Sequence, residues 1–301
     1  RRSLAGSITG LGVMLARAGR TAECEELFRR SVELRESVVN DFPVIPGCRL
    51  ELAESQRFLG NVLRETRQPE RALQEYERSI TNLQKLVHDL PENPSIQRSL
   101  CDTYFHLGNV LDDLGRIDDA EKAWRSAVES HDKLTAKFPQ FAASPPLDTA
   151  LNNLALAVKK RGDLEEARSL LERGIQALET GLITDPKDQR RRSVLFASLW
   201  NLARTHIQLG DHLRAAAVTD EMCEVFEGDG KSYWDASQIL SECAKCAEND
   251  YKLPESERGA RQSEYAARSR ELLIKAIQNT PDDPETQNNL AWTLATASDP
   301  H

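Results

Sequence analysis

Small and large apolar residues alternate along this chain at helical spacing, and the alternation recurs. The stretch "FHLGNVLDDLGRIDDAEKAW", residues 105–124, has Gly108, Gly115, Ala120 and Trp124 in that order. Stepping from Gly108 in both directions finds Gly12, Gly60, Ala155 and Ala203, with steps of 48, 48, 47 and 48 residues. Twelve positions after each stands a small residue: Cys24, Ala72, Ala120, Ala167 and Ala215. Four further on stand Phe28, Tyr76, Trp124 and Leu171, with Thr219 as the exception. Between the two runs, seven positions after each anchor, lie Gly19, Arg67, Gly115, Gly162 and Gly210, and the first four copies close on Pro43, Pro91, Pro139 and Pro186.

Each copy predicts two helices. The glycine seven residues past the anchor ends the first, since it adopts the left-handed conformation a helix end needs. The second carries its small and large residues at i and i+4, on one face. The small residue lets two backbones approach and the large one fills the adjacent hole. The proline stops the second helix. Such a pair cannot bury its apolar face alone, so copies must stack. The units run about 1–43, 44–91, 92–139, 140–186, 187–230 and 231–283, as one all-α solenoid across 1–301. The sixth unit departs from the frame. Its first helix is expected over about 232–249, the insertion "DYKLPESERGARQSE" as a loop with a partial turn, and its second helix around Leu273 and Ala276, before Pro281. Leu290, Ala291 and Trp292 then open a terminal helix, 284–297, which either caps the stack or begins another pair.

On Leu59-Gly60…Ala72…Tyr76…Pro91 and Leu107-Gly108…Ala120…Trp124…Pro139, the chain resembles the tetratricopeptide family. The resemblance implies a right-handed superhelix of antiparallel helix pairs that binds peptides or partner domains. The family's usual unit has about 34 residues; two added turns per helix would account for the longer period here without rotating the packing face. The stretch "DFPVIPGCRLELAESQRFLGNVLRETRQPERAL" also looks like the C-terminal repeat region of bacterial, planctomycete-type serine/threonine protein kinases. That resemblance implies a regulatory or substrate-recruiting role beside a kinase domain. No GxGxxG loop, HRD or DFG occurs here, so the catalytic part is not in this sequence.

Composition narrows the chemistry. Hydrophobic residues make up 40% and charged residues 29% of the 301 residues, which suits a folded helical chain. A net charge of −9 argues against general nucleic-acid binding. No run of 18 apolar residues predicts a membrane span. The six cysteines follow no small-domain disulfide pattern, which suggests a reducing, cytoplasmic location. Cys243 and Cys246 form a single CxxC without a second ligand pair, so buried thiols are expected there and no zinc. None of the six histidines pairs with a nucleophile, and paired acids such as Asp118-Asp119 and Glu165-Glu166 suit the starts of second helices. No enzyme and no cofactor is expected, and a self-associating structural module stands as a further alternative to the interaction scaffold.

First helices line the inner groove in the family the chain resembles. Positions −3, +1 and +4 from each anchor should then point inward. They supply Arg57, Asn61 and Arg64; Phe105 and Asn109; Asn152 and Lys159; and Trp200 and Arg204. Arg57, Asn61 and Asn109 match half of the carboxylate clamp of tetratricopeptide co-chaperones. The clamp's two further basic residues are absent, with Thr149 and Asn153 in their places. The two asparagines either bind a peptide backbone or bridge neighbouring helices. Arg57 and Arg64 either meet an acidic ligand or pair with Glu54 and Glu65. A second cluster, Lys187 and Arg190 to Arg192, with Lys159 to Arg161 one unit earlier, is either an anionic-partner patch or a solvated helix start.

Overall fold

A computed structural model describes residues 1–141, 145–280 and 288. Among them all regular structure is helical: twelve α-helices and a short 3₁₀ turn, with no strand. The chain divides into two compact units, residues 1–157 and 158–301. The first holds α1 (Arg2–Arg17), α2 (Thr21–Asp41), α3 (Pro46–Glu65), α4 (Pro69–Asp89), α5 (Pro94–Asp113) and α6 (Ile117–Lys137). Helix α7 (Pro145–Arg161) runs through the division. The second holds α8 (Leu164–Thr184), α9 (Gln189–Gln208), α10 (His212–Val225), α11 (Gly230–Glu248) and α12 (Glu255–Asn279). Within each unit consecutive helices pack as antiparallel pairs, and the pairs stack.

The anchor glycines are where two helices of a pair come closest. A Cβ on Gly12 would lie 2.8 Å from the Phe28 ring, one on Gly60 would lie 2.7 Å from the Tyr76 ring, and one on Gly108 would overlap the Trp124 indole. The rings themselves are all but sealed, with 1%, 0% and 3% of their surface exposed. In the second unit the equivalent residues, Ala203 and Thr219, are both buried, and a smaller partner stands where the anchor has a methyl. A second close approach lies further toward the starts of the first helices: Ser31 donates to the Ala5 carbonyl, Ser79 to that of Ala53 at 2.7 Å, and Cys101 to that of Ala127 at 3.3 Å. These small residues bond to backbone that a larger side chain would push away.

Helix ends repeat as closely as the core. Gly19, Gly115, Gly162 and Gly210 adopt positive φ, and Arg67 does so at 61° in the same place. In all five turns the next residue's N–H reaches back five residues to a helix carbonyl, as Gln68 does to Leu63 at 2.8 Å and Arg116 to Leu111 at 2.8 Å. Second helices α2, α4, α6 and α8 end two residues before Pro43, Pro91, Pro139 and Pro186. The residue between is held out of the helical conformation, φ −131° to −135°, because a following proline disfavours helix. Asn93, Asp163, Asp188, Asp211 and Asp229 cap the helices that follow them.

One expectation fails in the sixth unit. The insertion at 250–264 is a turn only over 250–254: α12 begins at Glu255, directly after Pro254, and takes up the rest of the segment as nearly three turns. Pro254 starts the helix at a position where its missing N–H costs nothing, and Glu255 and Glu257 favour the positive end of the helix dipole. Gly259 adds no contact there. Pro281 and the expected terminal helix at 284–297, residue 288 excepted, lie outside the described residues.

Two outcomes test this packing. Gly108→Ala alone should cost about 1–3 kcal/mol by overpacking. Combined with Trp124→Leu, the pairing the fourth copy has at Ala155 and Leu171, the loss should be smaller than the sum of the two single losses by about 1 kcal/mol in urea melts. Strict additivity would show that the two side chains do not meet. Arg67→Gly should raise stability by about 0.5–1 kcal/mol by relieving the left-handed backbone of a residue with a Cβ, less the entropy that glycine brings to the unfolded chain.

Candidate functional site

The rings that enter against the anchor glycines have an edge that must be satisfied. Tyr76 O–H donates to Asn61 Oδ1 at 2.8 Å, and Trp124 Nε1–H donates to Asn109 Oδ1 at 3.1 Å. Each asparagine directly follows its anchor, so the ring that fills the helix–helix gap meets it across the pair. The indole N–H can only donate, which fixes Asn109 with its carbonyl toward the core and its amide away. Asn153 Nδ2 also donates to Asn109 Oδ1, at 3.1 Å. In the first pair the ring is Phe28, with no polar edge, and the residue after the anchor is Val13. An asparagine therefore stands where a polar ring needs an acceptor, which joins the two helices of the pair and turns its amide away from the ring.

Arg57 lies on the same face of α3. Its guanidinium sits 4.6 Å from the Phe58 ring centre, and its Nε is buried without a hydrogen bond. Asp102 on α5 answers it with a buried Oδ1 that also lacks a bond. Burial pushes the Asp102 carboxyl above its ordinary range, and Arg57 and Arg98 pull it partly back. His106 stacks on Tyr76 at 6.0 Å, and Phe105 lies 5.2 Å from it. Burial, reinforced by Arg57 and Arg64, pushes His106 down to about 3, so it is neutral at pH 7. Arg64 is not paired with Glu65 but forks onto Asp113, at 2.5 and 3.2 Å. Arg64 is thus engaged by Asp113, while the Nε of Arg57 has no hydrogen-bond partner within the fold. Asn152 is buried.

In the second unit Lys159, Trp200 and Arg204 come together around Glu242. Arg204 lies 4.8 Å over the Trp200 ring and 3.6 Å from Glu242. Burial lowers the Lys159 ammonium, with the Arg204 charge adding to the effect and Glu242 opposing it. Next to Trp200 opens a cleft of about 760 Å³ between α9 and the start of α11, walled by Phe196, Trp200 and Phe226. Phe196 and Phe226 meet edge to face at 5.3 Å; Arg192 lies over Phe226 and Lys231 over Phe196. Positions −3, +1 and +4 do not reach Phe196, which is seven before Ala203 and so one turn further along the face of Trp200. Phe226 and Lys231 come from the α10–α11 junction, which has no fixed place in the repeat frame.

The basic run at the start of α9 divides into separate roles. Arg191 lies against Gly181, donates weakly to its carbonyl at 3.4 Å and pairs with Asp188 at 3.5 Å. Arg192 covers the Phe226 ring. Cys243 is buried and Cys246 half-buried, and burial raises both thiols. Among the described residues no group of three or more His, Cys, Asp or Glu is placed to hold a metal, and no helix is long and apolar enough to cross a membrane.

Tetratricopeptide-repeat models match residues 4–43, 105–181 and 197–221, so the chain carries tetratricopeptide repeats. No functionally curated protein matches it in sequence. Solved structures share the fold at low identity. One is Nro1, described as a nuclear import adaptor and hypoxic regulator of sterol synthesis: 10% identical, covering 96% of this chain and 92% of its own, TM-score 0.62. A second is a putative kinesin light chain from Podosopora anserina with nearly identical TPR-like repeats: 18% identical, covering 74% and 95%, TM-score 0.52. A third is YrrB, described as a TPR protein with an unusual peptide-binding site: 14% identical, covering 86% and 98%, TM-score 0.50.

The half-buried imidazole of His106 predicts an acid-sensitive first unit. His106 takes a proton near 6.5 when unfolded but only near 3 when folded. Between those values the unfolded state holds more protons, so stability rises with pH. Stability should be full above pH ~6.5 and fall as the pH drops toward about 3. Melting temperatures of the parent and of His106→Gln, taken across that range, should converge at low pH; parallel curves would show His106 exposed to water.

Proposed function

We propose that this chain is a protein-interaction scaffold without catalysis of its own, and that the inner face of its first unit holds an extended, acceptor-rich peptide. The observation that carries this is the fixed direction of Asn61 and Asn109. Their carbonyls are taken by Tyr76 and by Trp124 and Asn153, so what they offer a ligand is N–H. Arg57 adds a cation whose buried Nε has no partner in the fold. Donors from consecutive first helices match the carbonyls of an extended strand, and the guanidinium favours an acidic side chain. Thr149 and Asn153 in place of a second basic pair favour internal segments over chain ends. Six free cysteines support a cytoplasmic setting. The repeats are read as a long-unit variant on the 20 and 21 residues of each helix from α3 to α6, which together exceed a 34-residue unit. The second reading, a recruiting arm of a serine/threonine kinase, rests on the resemblance of the stretch 41–73.

The test uses isosteric changes. Asn61→Asp and Asn109→Asp keep an acceptor for Tyr76 and Trp124 but replace the amide donors with charge. With a partner peptide identified by capture and mass spectrometry, calorimetry should show the double variant binding at least about tenfold more weakly, with an unchanged helical spectrum, since each lost hydrogen bond costs on the order of 1 kcal/mol. Equal affinity would remove these residues from the site.

A further inference from the structure

We propose that the cleft between α9 and the start of α11 is a second binding site. It takes, from a peptide segment of a partner protein, an aromatic side chain whose edge donates a hydrogen bond and which has acidic residues on both sides. The site does not rest on the reading given for Asn61 and Asn109, since every residue of the cleft belongs to the second unit. Its volume of about 760 Å³ holds one large side chain and parts of its neighbours. Phe196 and Trp200 stand four apart on α9, hence on one helix face, and both are only half-buried. Phe226 meets Phe196 edge to face at 5.3 Å. Three rings around one opening offer both faces and edges to a fourth.

Charge selects among aromatic ligands. Arg192 lies 5.3 Å over the Phe226 ring and Lys231 lies 5.9 Å over Phe196. Among the described residues neither side chain forms an ion pair or a hydrogen bond, whereas the adjacent Arg191 pairs with Asp188. Asp229, two residues before Lys231, is spent on the cap of α11, where it accepts from Ser232 N–H at 3.1 Å. A ring face replaces a counter-ion only in part, so both cations keep their N–H donors for carboxylates. They come from different helices and lie over different rings. They therefore suit acids on both sides of the bound ring, which a peptide supplies and a single aryl acid does not. Asp235 asks for the opposite. It lines the cleft one turn after Lys231, half-buried, with no hydrogen bond or ion pair among the described residues. Burial pushes its carboxyl above the ordinary range; Lys231 opposes that shift and Asp229 adds to it. A phenol O–H or an indole N–H would satisfy this acceptor, and a phenyl ring would not. The start of α11 is also packed tightly: a Cβ on Gly230 would lie 2.5 Å from Thr280 at the end of α12, which fixes the backbone beside Lys231.

The probe is a labelled synthetic nonapeptide with one tyrosine between two pairs of glutamates, titrated into the full chain by fluorescence anisotropy. Saturable binding is expected. It should weaken at least about tenfold in Arg192→Gln with Lys231→Gln, and likewise when lysines replace the glutamates of the peptide. Circular dichroism checks the fold. Should Arg192→Gln disturb it, Lys231→Gln alone, at an exposed residue, should still weaken binding about threefold. A peptide with phenylalanine for tyrosine should bind the parent about fivefold more weakly, and the two peptides should bind Asp235→Ala alike. Asn61→Asp with Asn109→Asp should leave the affinity unchanged, which separates this site from the one proposed in the first unit. Absence of saturable binding overturns the proposal, as does affinity that survives the loss of both cations. Binding lost in the asparagine variants instead would place the probe on the first unit and overturn it too. Equal binding of the tyrosine and phenylalanine peptides to the parent would overturn the donating edge. N-acetyltyrosinamide binding as tightly as the probe would make the cleft a small-molecule pocket and overturn the peptide.

Discussion

The close approach of two helices at an anchor glycine, with a ring driven into the space its missing side chain leaves, is the constraint from which the rest of the first unit follows. Gly12, Gly60 and Gly108 cost helix propensity, about 1 kcal/mol each against alanine. That loss is offset by burying Phe28, Tyr76 or Trp124 almost completely, since a buried aromatic is worth several kcal/mol. Glycine and ring are one device, because a methyl at the anchor would collide with the ring already there. Where the anchor is Ala203, the facing residue is Thr219, and the exchange of volume between the two positions is visible inside one sequence.

From that packing step the inner face acquires its chemistry. A phenol or an indole pressed into the gap brings an O–H or N–H to the far side of the first helix, where it would be orphaned in an apolar setting. Asn61 and Asn109 satisfy it, and in doing so their amides are turned away from the ring. Phe28 makes no such demand and Val13 stands in the equivalent place. Of the two readings open for these asparagines in the sequence, the structure shows the bridging one: their side-chain oxygens tie the helices together.

The helix-pair order and the residues packed at its centre were legible in the sequence because they depend on residue volume and on backbone freedom at fixed spacing. Less legible were features set by side-chain reach. Arg64 chose Asp113, 49 residues away, over its neighbours, because a stacked first helix brings that carboxylate closer than helical spacing brings Glu65. Arg67 occupies the glycine column without being glycine; the turn's backbone bonds hold it there. The polar stretch after Asp250 looked like a loop because it has no apolar period, yet Pro254 and the acids that follow start a helix without one. Phe196 and Phe226 form a cleft only because the α10–α11 junction places Phe226 opposite α9, which no period foretells.

A stack built on this device constrains few positions. The anchor, the residue that faces it, the turn residue and the small contacts near Ser31, Ser79 and Ala127 fix how two backbones meet; the side chains on the inner face need only avoid obstructing one another. That separation accounts for structures that share the fold at 10–18% identity, such as Nro1 and the kinesin light chain repeats. It also explains why binding chemistry cannot be carried from one such protein to another. Within this chain the inner positions already diverge, from paired amides and an arginine around α3 and α5 to an aromatic cleft with overlying cations around α9 and α11. The stacking positions stay nearly constant from α1 to α3, reading Leu, Ser, Leu and then Met or Val. On α3 the helix that packs against these positions, among them Leu52, Leu59 and Val62, is α2, through Phe28 and Val32.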